Sequence, residues 1–332
     1  MSLLPPAVRR SIVAAAAFVI SIISLLGATP VQACSSCGCS LGTDWSDTGL
    51  TTASGLKVDF RYDFVDQNQL RLGRAPVSPD AANPPSDLEE IQKGTLTNFY
   101  TVTADYTFNR DWGINVSLPY LIRLHQTLPL DDGNTTEIDT SDYSGVGDLR
   151  IVGRFQGLLE DKRFGLQFGF KLPTGSIHNN FATGPDANAA VDRGLQPGTG
   201  TTDLILGAYY HGSLGMNWDH FEQVQWKEPL NSREQFRPSP QIGANLGLRY
   251  VASPVFVPQV QLNFKWEGRE LGEQADYANS GSRVVYLSPG ASVRIAHPVH
   301  AYAFVQLPVY QDYTGYQLAP HYTLSAGLNY HF

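Results

Sequence analysis

Past Cys39 the chain has no cysteine: Cys34, Cys37 and Cys39 are the only three in 332 residues. No disulfide can therefore brace anything that follows. Past residue 27 there is also no apolar run of the roughly 18 residues that a membrane helix takes. The later chain cannot cross a bilayer as helices. Charge is scarce, at 16% of residues, where a globular domain carries about 25%. The balance is acidic (net −8), which leaves no basic surface for nucleic acid. Neither G-x-S-x-G nor H-E-x-x-H occurs, so a hydrolase would have to assemble its site without those motifs.

The N-terminus reads as an export signal. Arg9 and Arg10 precede an apolar stretch from Ser11 to Gly27, and Val31-Gln32-Ala33 puts small residues at −3 and −1 before Cys34. The expected division is 1–33 signal peptide, 34–55 a periplasmic cysteine-containing segment, and 56–332 one folded unit.

Aromatics and glycine are plentiful in that unit, and they ride on a period of two. In "IGANLGLRY", Ile242, Ala244, Leu246, Leu248 and Tyr250 share one face, and Gly243, Asn245, Gly247 and Arg249 the other. "FVPQVQLNFKW" (256–266) repeats the pattern. Such alternation marks strands with one apolar and one polar face. About twelve of them follow, near 56–66, 94–108, 112–123, 146–156, 163–172, 201–210, 218–227, 240–251, 255–266, 283–295, 299–311 and 320–332. Short connections alternate with long ones, as a transmembrane barrel requires. Tyr106, Phe108, Trp112, Tyr120, Trp226, Trp266, Tyr330 and Phe332 sit at segment ends, where interface girdles belong. A soluble sandwich also alternates, but its strands usually run to about 5 or 6 residues. These are longer. The expected fold is all-β: a transmembrane antiparallel up-and-down barrel of about twelve strands in the outer membrane of a Gram-negative bacterium, in contact with outer-membrane lipid and lipopolysaccharide.

If the apolar face meets lipid, the polar face lines a lumen, since an Arg or Lys at the bilayer midplane costs about 2–4 kcal/mol. Lys57, Asp59, Asp63 and Asp148 fall on that face. The candidates for setting selectivity are Arg61, Asp105, Arg150, Arg154, Lys171, Asp203, Arg249, Lys265 and Arg294. Two readings stand for them: ion pairs that stiffen the wall, or a hydrated path for polar solutes. The outer connection "DDGNTTEIDTSD" groups Asp131, Asp132, Glu137, Asp139 and Asp142. Its carboxylates can hold a hard cation only if they converge. The connection from Pro173 to Thr201, rich in Gly, Asn and Pro, has the length to fold over the mouth as a lid.

In the cysteine segment no His follows Cys37 or Cys39, so haem attachment through C-x-x-C-H is excluded. Three readings stay open: Cys34, Cys37 and Cys39 bind a soft ion, Cu(I) or Zn²⁺; Cys34 and Cys37 form a disulfide and leave Cys39 reactive; or Cys34 is lipidated. On each of them the segment is an appendage that can meet a periplasmic partner.

"SGVGDLRIVGRF" (144–155), "FGLQFGFKLPTGS" (164–176) and "PGTGTTDLILGAYYHGSLG" (197–215) resemble the outer-membrane barrel family named for meta-pathway phenol degradation. That resemblance implies a channel or transporter for aromatic or other small organic compounds, with no catalytic residues and no assigned binding site. The alternatives are a barrel hydrolase and a structural or electron-conduit sheath for a periplasmic partner.

Overall fold

The computed structural model describes residues 54–79, 90–130 and 137–332. The expected signal peptide, all three cysteines, Asp131 and Asp132 lie outside the described residues. Among the described residues, no helix is long and apolar enough to cross a membrane.

The first strands are β1 (Gly55–Gly73), β2 (Ala75–Pro76), β3 (Glu90–Thr107), β4 (Trp112–Pro129) and β5 (Asp139–Val146). A low sector follows with β6 (Leu149–Phe155), β7 (Phe164–Leu172), β8 (Asp203–Ser213), β9 (Trp218–Pro229), β10 (Gln241–Tyr250) and β11 (Phe256–Glu267). The chain finishes with β12 (Ser282–Ala296) and β13 (Val299–His331). Ring neighbours pair antiparallel in chain order, and β13 closes the ring on β1 from Lys57↔His331 to Gly73↔Tyr313. Of thirteen strands, β2 and β5 lie outside the ring, which leaves eleven in it against the twelve or so expected. The difference lies in β13: residues 299–313 pair with β12, and residues 313–331 pair with β1.

Short connections (108–111, 214–217, 251–255, 297–298) gather at the end that holds Gly55 and His331, and the long ones at the opposite end. Through the middle of the barrel the outward row of each strand is mostly apolar. Phe60, Val102, Leu118, Phe168, Leu206, Leu262, Leu307 and Leu324 are each more than a third exposed, while the polar Asn263, Gln306 and Thr323 are fully buried inside. That is the reverse of a protein made for water. An apolar belt of this extent is stable when lipid covers it, at about 1.5–3 kcal/mol for each large side chain. At the short-turn end aromatic pairs rim the belt: Trp112–Phe155, Trp218–Tyr250 and Tyr330–Phe332 have centroids 4.6, 4.9 and 4.5 Å apart. Rings with an apolar body and a polar edge suit the headgroup level.

β5 is an addition to the expected strands. It pairs with the outer part of β4 (Thr127↔Asp139 to Tyr120↔Val146), while β6 takes the inner part (Ser117↔Arg150 to Trp112↔Phe155). Between the two lies Pro119, which has no N–H for the ladder, and Gly147 N bonds instead to its carbonyl at 2.8 Å.

Candidate functional site

Three short motifs that lie far apart in sequence converge on one buried cluster. Asp148 enters from "GVGD" before β6, Lys171 ends β7 in "KLPTG", and Thr199, Thr201 and Asp203 come from "GTGTTD". Lys171 Nζ lies 2.8 Å from Asp148 Oδ2 and 3.1 Å from Asp203 Oδ2, and it also bonds the Thr199 hydroxyl. Asp148 accepts from Thr199 N (3.0 Å), Thr199 Oγ1 (2.9 Å) and Gly175 N (3.1 Å); Thr201 donates to Asp203 at 2.8 Å. A buried charge persists only when paired and hydrogen-bonded, and here one ammonium serves two carboxylates. The cluster grips both feet of the long connection 173–202. Between the feet, Gly175 and Gly198 lie back to back: a Cβ on Gly198 would stand 2.5 Å from the Gly175 carbonyl oxygen.

From those feet the connection folds inward across the mouth. Thr183 and Ala182 exchange backbone hydrogen bonds with Thr140 of β5, and Asp186 N donates to Asp139 at 2.8 Å. Gln196 ties Asn179 to Val191, and the chain then makes a 3-10 turn at Arg193–Leu195. Two inward side chains clamp the turn. Arg123 of β4 and Tyr143 of β5 both donate to the Leu195 carbonyl, and Arg123 Nε also holds Thr97 of β3 at 2.9 Å. Arg193 reaches the next outer connection, where it meets Glu234 at 3.1 Å and lies 5.1 Å over the Phe236 ring. A polar cavity remains beside this turn, lined by Gln92, Asp192, Arg193, Glu270, Asp276 and Ser280. Burial raises the Asp276 carboxyl above its usual range, against the pull of hydrogen bonds from Asn279.

Below this closure lies the bore. Of the nine residues picked from the sequence, the structure joins Asp105 to Arg154 and Lys171 to Asp203. Arg154 forks onto Asp105 at 3.1 and 3.2 Å and onto Thr107 at 2.7 Å. Arg61 holds Asp63 (2.8 Å), Lys265 holds Glu267 (2.9 Å) and Arg249 approaches Asp219 (3.8 Å). Arg150 donates to Gln225 of β9 at 2.7 Å, so it crosses a chord of the lumen in front of β7 and β8. Arg294 instead caps the Pro254 carbonyl at a short turn. Of the acidic connection, Asp139 is buried against Asp186 N, and among the described residues no group of three or more His, Cys, Asp or Glu could hold a metal.

The abundant glycine also has a use here. Arg154 reaches Asp105 by passing over Gly113 of the intervening β4, where a Cβ would stand 2.6 Å from its guanidinium. Tyr209 of β8 crosses Gly165 of β7 in the same way to donate to Gln156 at 2.7 Å. Straps over glycines thus tie strands two apart. Sequence reasoning missed Arg123, Tyr143, Gln225 and Glu267. Arg123 carried a usable signal, because it shares the inward parity of β4 with Asn115 and Ser117.

No protein-family model and no curated protein matches the chain. Among solved structures, an outer-membrane channel from Pseudomonas putida F1 superposes with a TM-score of 0.58 at 15% identity, over 88% of this chain and 99% of that one. The chain folds as an outer-membrane β-barrel. The translocator domain of the autotransporter NalP from Neisseria meningitidis matches at a TM-score of 0.49 and 11% identity, over 87% of this chain and 92% of that one. The toluene transporter TbuX from Ralstonia pickettii matches at 0.43 and 8%, over 84% of this chain and 90% of that one. At these identities the likeness speaks to the fold, and what passes the barrel has to come from its own lumen.

Proposed function

We propose that the barrel is a passive channel for small solutes, aromatic or other organic compounds among them, with a mouth narrowed by the connection 173–202. One observation carries this reading: an apolar exterior encloses a polar interior in which Gly243 still faces space. Nothing among the described residues lies within 4 Å of where its Cβ would stand. On this reading β13 doubles back near Gly315, whose φ of +62° suits a turn. It then counts as two passes, twelve in all, with both ends of the barrel periplasmic. The motif resemblance supports organic solutes only indirectly, because its three motifs build the anchor of the mouth rather than the wall of the path.

Osmotic swelling of proteoliposomes tests the channel. Entry of a small neutral solute well above the protein-free rate is expected, and a protein-free rate would overturn the reading. The hydrolase alternative finds a pair at the outer end, Thr95 Oγ1 2.8 Å from His125 Nδ1. Both residues are buried, with Phe181 of the connection beside the His125 ring, so no substrate reaches the hydroxyl. For Cys34, Cys37 and Cys39 the proposal remains a soft-metal or redox segment. A Cys37→Ser, Cys39→Ser variant that retains full Cu(I) or Zn²⁺ stoichiometry would refute it.

A further inference from the structure

The channel reading leaves the chemistry of the cargo open, and the wall of the bore narrows it. Around Gly243 the inward neighbours in register are Gln225 and Lys265. Lys265 is held by Glu267, and Gln225 holds Arg150. Most of the other ionised groups of the bore are matched as well: Arg61 with Asp63, Arg154 with Asp105, Lys171 with two aspartates, and Arg249 with Asp219 at 3.8 Å. Ions that are paired within the wall leave only a weak field along the path. Neutral wall groups are linked in a row. Gln223 donates to Gln167 (3.0 Å), Asn245 to Gln223 (3.2 Å), Asn263 to Asn245 (2.8 Å) and Ser288 to Asn263 (2.6 Å). This amide chain runs from β7 to β12, across half of the barrel.

An ion that enters such a bore sheds water and finds few opposite charges left to offset the loss. An uncharged hydrogen-bonding molecule trades water for amide and hydroxyl partners at little net change. We infer that the bore selects uncharged, hydrogen-bonding small organic molecules over ions of either sign. The inference rests on the channel reading, and its test separates the two.

The experiment uses the full chain with Cys34→Ser, Cys37→Ser and Cys39→Ser, adds Gly243→Cys, and reconstitutes the protein in liposomes. The probes are methanethiosulfonate reagents of similar size, one neutral, one cationic and one anionic, each normalised to its rate with a free thiol. The neutral reagent should label residue 243 at least about tenfold faster than both charged ones, the factor that about 1.4 kcal/mol of extra desolvation gives. A charged reagent that matches the neutral rate overturns the selectivity. Labelling by none of the three, in a protein that retains its heat-resistant folded mobility, overturns the open path itself. Gly243→Trp provides the second arm: it should slow neutral-solute swelling several-fold, and unchanged swelling would also count against that path.

Discussion

One side of the barrel is built tall and the other low. β1, β3 and β4 run 19, 18 and 18 residues, whereas β6 to β11 run only 7 to 12. A tilted strand crosses a bilayer in about 9–11 residues, so the low side is matched to the membrane and the tall side exceeds it. The excess stands at the outer end, where its inward face bears Thr95, Thr97, Arg123, His125 and Thr127, all nearly fully buried. The cover comes from the low side, as the connection 173–202 rises from β7 and leans on β3 to β5. A tall wall and a low wall with a long loop thus complete one another, and the fastening between them decides how wide the mouth stands.

The largest expected effect comes from cutting that fastening at its base. Lys171→Met leaves Asp148 buried without Lys171 and Asp203 with only Lys227, 3.9 Å away, a loss of the size seen on breaking a buried pair, about 3–5 kcal/mol. The midpoint of thermal unfolding in detergent should fall, and protease should cut within 173–202. Adding Asp203→Asn should recover part of the loss. An unchanged midpoint for the single variant would mean that the cluster does not hold the feet.

Arg123→Ala is gentler, since the feet stay gripped and only the tall wall lets go of Leu195. A buried charged donor lost from two acceptors is worth about 1.5–3 kcal/mol. Much of that should appear as a looser turn rather than as global unfolding. The expected readout is faster swelling with a nearly normal unfolding midpoint. If both stay unchanged, the clamp has no part in the mouth.

The same contrast explains what could be read from the sequence. Where lipid touches the wall, one face has to be apolar, and the period of two was plain: expected segments near 163–172, 218–227, 240–251 and 255–266 fall within a residue or two of β7, β9, β10 and β11. Above the membrane the outward face is free to be polar, and the signal fades. Asp66 and Asn68 continue the outward row of β1 without an apolar residue, so the strand was expected to stop at 66 rather than 73. β5 was missed for the same reason, with Thr140, Asp142 and Ser144 on one face and Asp139 and Ser141 on the other. The inward charges were legible one at a time, but their partners were not. Asp105 and Arg154 are 49 residues apart, and their strands are separated by β4, so no periodicity links them.

Gly165→Ala probes the middle of the low side. The added methyl would meet Tyr209 near 2.1 Å, and the blocked strap forces a ring rather than a flexible tip to move. Overpacking of this kind costs about 1–3 kcal/mol. A lower unfolding midpoint is expected, with Tyr209→Ala in the same chain relieving it. Gly243→Ala is the control, because its site has room, and it should change stability far less. Equal losses at the two glycines would show that backbone freedom, not the strap, sets the need for glycine.

The smallest effect belongs to the contact between two outer connections. Glu234 loses some hydration, which works to raise its carboxyl, but His178, Arg193 and Arg233 outweigh this and hold it below the usual range. His178 lies at 3.2 Å, Arg193 at 3.1 Å and Arg233 at 3.4 Å. A carboxyl depressed in the folded state stabilises that state above its unfolded value, about 4.3, and the benefit is lost as pH falls through the lower folded value. The group is exposed, so salt and water screen it. The turn at Arg193 should therefore become more open to protease between neutral pH and about pH 3, more so at low salt than at high. Glu234→Gln should remove most of that pH response and leave cleavage at neutral pH slightly raised. A response that persists in Glu234→Gln would show that this contact between the two outer connections does not set the pH dependence of the turn.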